Sequence, residues 1–273
     1  MTESTESKTF AGERIAKVLA RAGVCSRRDA EKLVADGKVK VDGKVITSPA
    51  LNVTSANRIE VNGKPLPQAE PMRLWLYHKP TGLVTSHKDP QGRATVFGSL
   101  PAGMPRVISI GRLDFNSEGL LLLTNDGGLS RRLELPSTGW MRRYRARVFG
   151  RPSDAALKQV ARGVTIEGVE YGPIEIEVER ERGDNCWLVI GLREGKNREI
   201  RKVLEHFGHQ VSRLIRVAYG PFQLGVLPPG QVKEVPPKVL REQLGRKPQQ
   251  KTGAAKPPAS GETAGHAHRR RQA

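Results

Sequence analysis

Residues 111–126 read "GRLDFNSEGLLLLTND". The four leucines, Leu120–Leu123, form a run too apolar for an edge or a loop, so the stretch predicts a buried strand. The polar segment ahead of it, with Gly111 and Asn116-Ser117, then reads as a loop braced by that strand. Asp114 sits in this loop, in a chain whose 46 Lys and Arg against 28 Asp and Glu give a formal net charge of +18. On residue chemistry alone Asp114 reads first as an N-cap or turn acid, roles in which Asp is common. The loop position keeps a functional reading open, because binding and catalytic residues concentrate on loops held by a rigid scaffold. Among so many cations its carboxylate is expected to stay ionised.

Outward from this strand the surrounding segments are mostly strand-like: "LWLYHKP" (74–80), "GLVTSH" (82–87), "YRARVFG" (144–150), "IEIEVER" (174–180) and "WLVIGLR" (187–193). "DAALKQVARG" (154–163) and "REIRKVLEHFG" (198–208) carry helical spacing. Strands interrupted by scattered helices predict an α+β fold on a largely antiparallel sheet over residues 73–240.

The N-terminal part follows a different rhythm. "ERIAKVLARAG" (13–23) sets Ile15, Val18, Leu19 and Ala22 on one helical face and Arg14, Lys17 and Arg21 on another. In "SRRDAEKLVADG" (26–37), Ser26 and Asp29 form a capping-box pattern, with Ala30, Leu33 and Val34 inward and Gly37 as the stop. Asp42-Gly43 and Asn62-Gly63 are hairpin turns. Residues 12–64 therefore predict a small helix–hairpin domain. Its outward cations, Arg14, Lys17, Arg21, Arg27, Arg28 and Lys32, are spaced to track phosphates or simply to meet solvent. "RIAKVLARAGVCSRRDAEKLVADGKVKVDGKVI" (14–46) resembles the small RNA-binding domain shared by ribosomal protein S-four and several RNA-modifying enzymes, which implies binding to structured RNA.

"PLPQAEP" (65–71), with three prolines in seven residues, predicts a linker over 65–72. Residues 1–11 and 241–273 are expected to be disordered. The latter contribute +6 of the net charge, from 8 basic and 2 acidic side chains, so +12 remains on residues 1–240. The whole chain thus points to a polyanion partner. No apolar run approaches the roughly 20 residues a membrane span requires, and the polar N-terminus lacks a signal core, so a cytoplasmic protein with no membrane association is expected. Cys25 and Cys186 are too few for a disulfide scaffold or a cysteine zinc site and are expected to be inert thiols. His206 and His209 lack a third ligand, and no metal site is assigned. No phosphate-binding glycine loop and no nucleophile-elbow motif is present.

"GRLDFNSEGLLLLTNDG" resembles the catalytic motif of RNA pseudouridine synthases of the RsuA type. Three further stretches match in order: "YHKPTGLVTS" (77–86), around Lys79 and Gly82; "RRYRARV" (142–148); and "LREGKNREIRKVLEHFGHQVSRLIRVAYGPFQLGVLPPG" (192–230). The resemblance implies that Asp114 is the essential catalytic residue, that Tyr144 packs on the target base, and that Arg201 pairs with Asp114. It also implies that uridine is isomerised to pseudouridine with no cofactor or metal. Lys79, Arg93, Arg112, Lys196 and Arg198 are expected to contact RNA, Arg112 along the backbone and Arg93 beside a flipped nucleotide. Many relatives carry His-Gln where this chain has Arg198-Glu199. "KNREIR" (196–201) looks closest to the branch that modifies large-subunit (23S) ribosomal RNA. The expected partner is therefore that RNA or a ribosome assembly intermediate, and the expected state is a monomer. A small-subunit (16S) synthase and a non-catalytic ribosomal RNA-binding or assembly protein are the alternatives.

Overall fold

Leu120–Leu123 are fully buried in the computed structural model, which describes residues 12–135 and 138–245. They belong to the strand Glu118–Thr124, all seven residues of which are buried. Leu121 and Leu123 face a core that includes Ile200, Val203 and Leu204 of helix Glu199–His206. Leu120 and Leu122 face a second core, with Leu129 and Leu133 of helix Gly127–Glu134 and Leu240 of helix Pro237–Gly245. Apolar cover on both faces explains why this strand reads as a continuous aliphatic run instead of an alternation.

The strand lies within a nine-stranded sheet. Its order is Glu175–Arg182, Asn185–Leu192, Arg142–Phe149, Val211–Tyr219, Glu118–Thr124, Leu74–Lys79, Val232–Glu234, with Ile108–Ile110 and Phe222–Gln223 paired at the side. Every pairing is antiparallel except one. Val211–Tyr219 joins Glu118–Thr124 in parallel through Ile215↔Glu118 and Arg216↔Gly119. At that join the backbones crowd. A Cβ on Gly119 would lie 2.7 Å from the Arg216 nitrogen and closer still to its carbonyl oxygen, and Gly119 has φ +105°. Only glycine fits there without strain.

The N-terminal unit has the expected helices, Ile15–Arg21 and Arg27–Ala35, with Ser26 Oγ accepting from the Asp29 N–H at 3.1 Å. A four-stranded sheet follows, in the order Lys44–Ile46, Val39–Val41, Ile59–Val61, Lys64–Pro65. Asp42-Gly43 and Asn62-Gly63 all have positive φ, the conformation that two-residue hairpins favour. Ile15, Leu19, Ala30, Val34, Val39 and Val61 form the unit's own core, joined by Ala16. Val18 and Leu33 pack at its margin.

Several expectations need correction. Residues 82–87 are not a strand. Gly82 adopts φ +82° and its N–H donates to the Phe115 carbonyl at 2.9 Å, and only an isolated bridge, Val84↔Thr95, remains. Pro65, expected in the linker, ends the small sheet. Residues 241–245, expected in the disordered tail, complete a helix because Leu240 buries against the second core. The helix Gly127–Glu134 and the nine-residue strand Val211–Tyr219 were not anticipated. The other expectations for residues 1–11 and 246–273 lie outside the described residues. Among the described residues, no helix is long and apolar enough to cross a membrane.

Candidate active site

The segment 111–117 is held almost atom by atom. The Gly111 N–H donates to Glu134 Oε1 at 2.9 Å, and Thr85 Oγ1 donates to the Leu113 carbonyl at 2.7 Å. Gly82 holds the Phe115 carbonyl as described, and Arg201 Nη2 donates to the Asn116 carbonyl at 3.0 Å. Ser117 closes a turn onto the Asp114 carbonyl at 3.0 Å. The Asp114 side chain is half-buried at the wall of a cleft of about 700 Å³.

Lys79 is the buried centre of this scaffold. Fully inaccessible, it donates from Nζ to the carbonyls of Pro80 (3.0 Å), Asp114 (3.1 Å) and Ser117 (2.9 Å). An ammonium has three donors, and all three are used. Burial pushes its pKa down to about 8, against the opposing pull of the Asp114 and Glu118 carboxylates. The expectation that Lys79 contacts RNA is therefore corrected. It fixes the backbone that carries Asp114.

Across the cleft stands Tyr144, on the strand Arg142–Phe149. A register shift between Arg143 and Tyr144 sets Tyr144 opposite Arg216 instead of Val217. Such a bulge re-aims side chains, and bulges concentrate beside active sites. Tyr144 is 9% exposed, with one edge in the core and one on the cleft. Arg112 and Arg198 line the same cleft and are exposed. Arg198 adopts φ +51°, an uncommon conformation for a residue with a Cβ.

Arg201 does not form the expected pair with the Asp114 carboxylate. Its guanidinium donates to the carbonyls of Val211 (2.8 Å) and Asn116 (3.0 Å), and its Nε is buried without a partner. Burial and the neighbouring Arg198 lower its pKa, while the charge of Asp114 acts in the opposite direction. Arg201 thus stands behind the Asp114 loop and grips its backbone. Arg93 is not in the cleft either; it forms a bidentate pair with Asp89, at 3.0 and 2.7 Å, in an exposed loop. Lys196 reaches the cleft, but its Nζ is engaged by Glu194 Oε2 at 2.7 Å and the Glu170 carbonyl at 2.6 Å. In the N-terminal unit Lys17 and Arg21 both pair with Glu13, the latter at 2.7 Å. Arg14, Arg28 and Lys32 are exposed and line neither of the two large clefts.

Two groups escaped the sequence reading. Arg216 is 2% exposed and lines the cleft; Nε donates to the Leu120 carbonyl at 2.7 Å, while Nη2 is buried without a partner. A buried unpaired donor at a cleft wall is a costly arrangement that an incoming acceptor relieves. Glu199, 4% exposed, accepts the Lys196 N–H at 2.7 Å through Oε2. Its other oxygen is buried and faces Glu194. Burial and that second carboxylate push its pKa up to about 7. No local pattern marks either: Glu199 is the first residue of its helix, with Lys196 and not Ser or Thr three residues before it, and Arg216 lies mid-strand.

Residues 73–206 match the family model for RNA pseudouridylate synthase, and residues 13–59 match that for the S4 domain. A protein of Rickettsia felis named as an uncharacterised RNA pseudouridine synthase is 52% identical over 230 residues, 84% of this chain and all of that protein. The chain belongs to the RNA pseudouridine synthase family. Its synthase relatives include the ribosomal large subunit pseudouridine synthase B of Haemophilus influenzae, 43% identical over 78% of this chain and 61% of that one. A crystal structure of a pseudouridylate synthase superposes with a TM-score of 0.61 at 22% identity, covering 84% of this synthase and 99% of the other chain, and so shares the fold. The protein is an RNA-modifying isomerase with an S4 RNA-binding domain.

Proposed function

We propose that this synthase isomerises a uridine of large-subunit ribosomal RNA, with the cleft at Asp114 as its active site. The likeness to the Haemophilus influenzae large-subunit enzyme carries the choice of substrate. The target base must leave its stack to reach a cleft of this kind, at a cost of a few kcal/mol. Tyr144 offers a stacking face that returns roughly 1–3 kcal/mol.

The reaction breaks the bond from C1′ to N1 and forms one from C1′ to C5. The C5 proton departs and N1 gains a proton, so atoms balance without a co-reactant. Asp114 is the carboxylate that acts on the nucleoside, by adding at C1′ or by removing the C2′ proton. Lys79 and Arg201 are positioning residues that hold its backbone. Arg216 Nη2 donates to an oxygen of the bound nucleotide, and Arg112 and Arg198 meet phosphates. The S4 domain and the catalytic region, joined by a linker, act on the RNA together in the cytoplasm, in a monomer.

Pseudouridine mapping in both ribosomal RNAs of a deletion strain, complemented with wild type or Asp114→Asn, tests this. One large-subunit position is expected to disappear and to return only with wild type. Loss of a small-subunit position instead would move the substrate, and restoration by Asp114→Asn would remove Asp114 from the chemistry.

A further inference from the structure

A second cleft, of about 750 Å³, runs between the two N-terminal helices and helix Gly127–Glu134. Lys17, Arg21 and Arg27 line it from one side, Arg106 and Arg131 from the other. Against these five cations it shows two carboxylates, Asp126 and Glu134. Both are already bonded: Asp126 caps its helix at the Leu129 N–H (2.7 Å), and Glu134 accepts from Gly111 N–H and from Ser130 Oγ (2.7 Å). Glu13, behind the first helix, takes Lys17 and Arg21. Asp29, beside the cleft, is bonded to Ser26 at 2.6 Å. Arg27, Arg106 and Arg131 make no ion pair among the described residues. Three guanidinium groups with no ion-pair partner, from two separate parts of the fold, thus converge on one space and give it a positive potential that attracts anions.

The place of this cleft matters as much as its charge. Glu134 lines both clefts, and neighbouring residues of one strand, Ile108 and Ser109, line the second and the first. The two clefts thus adjoin at Glu134 and at the strand Ile108–Ile110. We propose that the groove of Arg27, Arg106 and Arg131 is a phosphate-binding channel for the RNA backbone that flanks the target nucleotide, clamped between the S4 domain and the catalytic sheet. This deepens the reading of the Asp114 cleft as the active site and rests on it. An arginine-lined groove suits RNA because guanidinium forks bind phosphate oxygens in pairs.

The two cysteines supply a direct test. Cys25 lines the groove and is partly exposed, whereas Cys186 is buried. Alkylation of Cys25 is followed by mass spectrometry in the full-length Asp114→Asn protein, with Cys186 as the silent internal control. Transcripts of large-subunit or small-subunit ribosomal RNA are the probes. At an RNA concentration ten times Kd, a filled groove slows Cys25 alkylation by about tenfold. Unchanged alkylation with both saturating RNAs overturns the proposal. In wild type, Arg106→Ala/Arg131→Ala should raise KM and reduce the slope of log K against log salt by roughly 1.5, about two phosphate contacts. Lys158→Ala/Arg162→Ala removes the same charge from exposed residues outside both clefts, and an equal change of slope there also overturns it. Failure of the active-site reading shows itself separately, as turnover by Asp114→Asn, and leaves the Cys25 result independent.

Discussion

Replacing Glu199 by glutamine probes the rear wall of the cleft. The glutamine keeps the shape and the acceptor for the Lys196 N–H, and its amide can donate to Glu194. It therefore imitates the protonated acid. The native carboxyl titrates at about 7, raised by burial and by Glu194 from an ordinary value of 4.5. A group whose folded pKa is raised contributes its full stability below the unfolded pKa and loses it as pH climbs through the folded one. The affected window is thus pH 4.5–7. At about 1.4 kcal/mol per pKa unit, wild type loses about 3 kcal/mol across it, and the glutamine variant loses none of this.

That figure is an upper bound, because Glu194 moves the other way. Burial raises the Glu194 pKa, but the Lys196 ammonium and the Gly172 N–H more than offset it. For a chain of this size about 3 kcal/mol corresponds to roughly 6–12 °C in Tm. Thermal denaturation between pH 4.5 and 8.5 should show the two proteins melting together at the acid end and the variant melting higher at pH 8. An equal gap at both ends, or a lower Tm for the variant at pH 8, would refute the placement of a raised carboxyl at this position.

Three other substitutions follow from the geometry. Gly119→Ala should destabilise by more than about 4 kcal/mol or prevent soluble expression, since its Cβ meets backbone on the partner strand; a Tm within 3 °C of wild type, by the same conversion, contradicts this. Lys79→Met should cost roughly 1–4 kcal/mol in denaturant unfolding. It leaves the Pro80 and Ser117 carbonyls without their donor, partly offset by removal of a buried charge, and the Asp114 carbonyl keeps its Ser117 N–H. Arg216→Met should lower kcat/KM by about 10–100-fold in a pseudouridine-formation assay, the range for a hydrogen bond from a charged donor; an unchanged value removes Arg216 from substrate contact.

The parts of the fold that local chemistry controls were legible in the sequence. The leucine run, the Ser26 cap and the two glycine turns each depend on a few neighbouring residues, and the matching motifs gathered Asp114 and Tyr144 at one cleft. The failures involve distant partners. The strand Val211–Tyr219 alternates poorly because Arg213 and Arg216 interrupt it, and its one parallel join spans two residue pairs. Residues 82–87 have strand-like side chains, but the Gly82 N–H is claimed by Phe115 from another segment. Lys79 and Arg216 look like surface charges until the carbonyls that enclose them are assembled in three dimensions. Composition reports the number of cations and says nothing of which ones are spent on the protein's own backbone.

That distinction bears on how a lone acid is presented for chemistry. Around Asp114, peptide groups of Gly111, Leu113, Asp114, Phe115, Asn116 and Ser117 are bonded to groups from five places in the chain: Lys79, Gly82, Thr85, Glu134 and Arg201. The Asp114 carboxylate itself makes no hydrogen bond among the described residues. A carboxylate held through its own oxygens has fewer lone pairs left for a substrate. One fixed through its backbone is oriented in advance and, in the proposed reaction, keeps both oxygens for the nucleoside, which is the preorganisation that catalysis rewards. Lys79 and Arg201 bind carbonyls and not the acid, so in the proposed reaction neither cation occupies a carboxylate lone pair that the nucleoside could use.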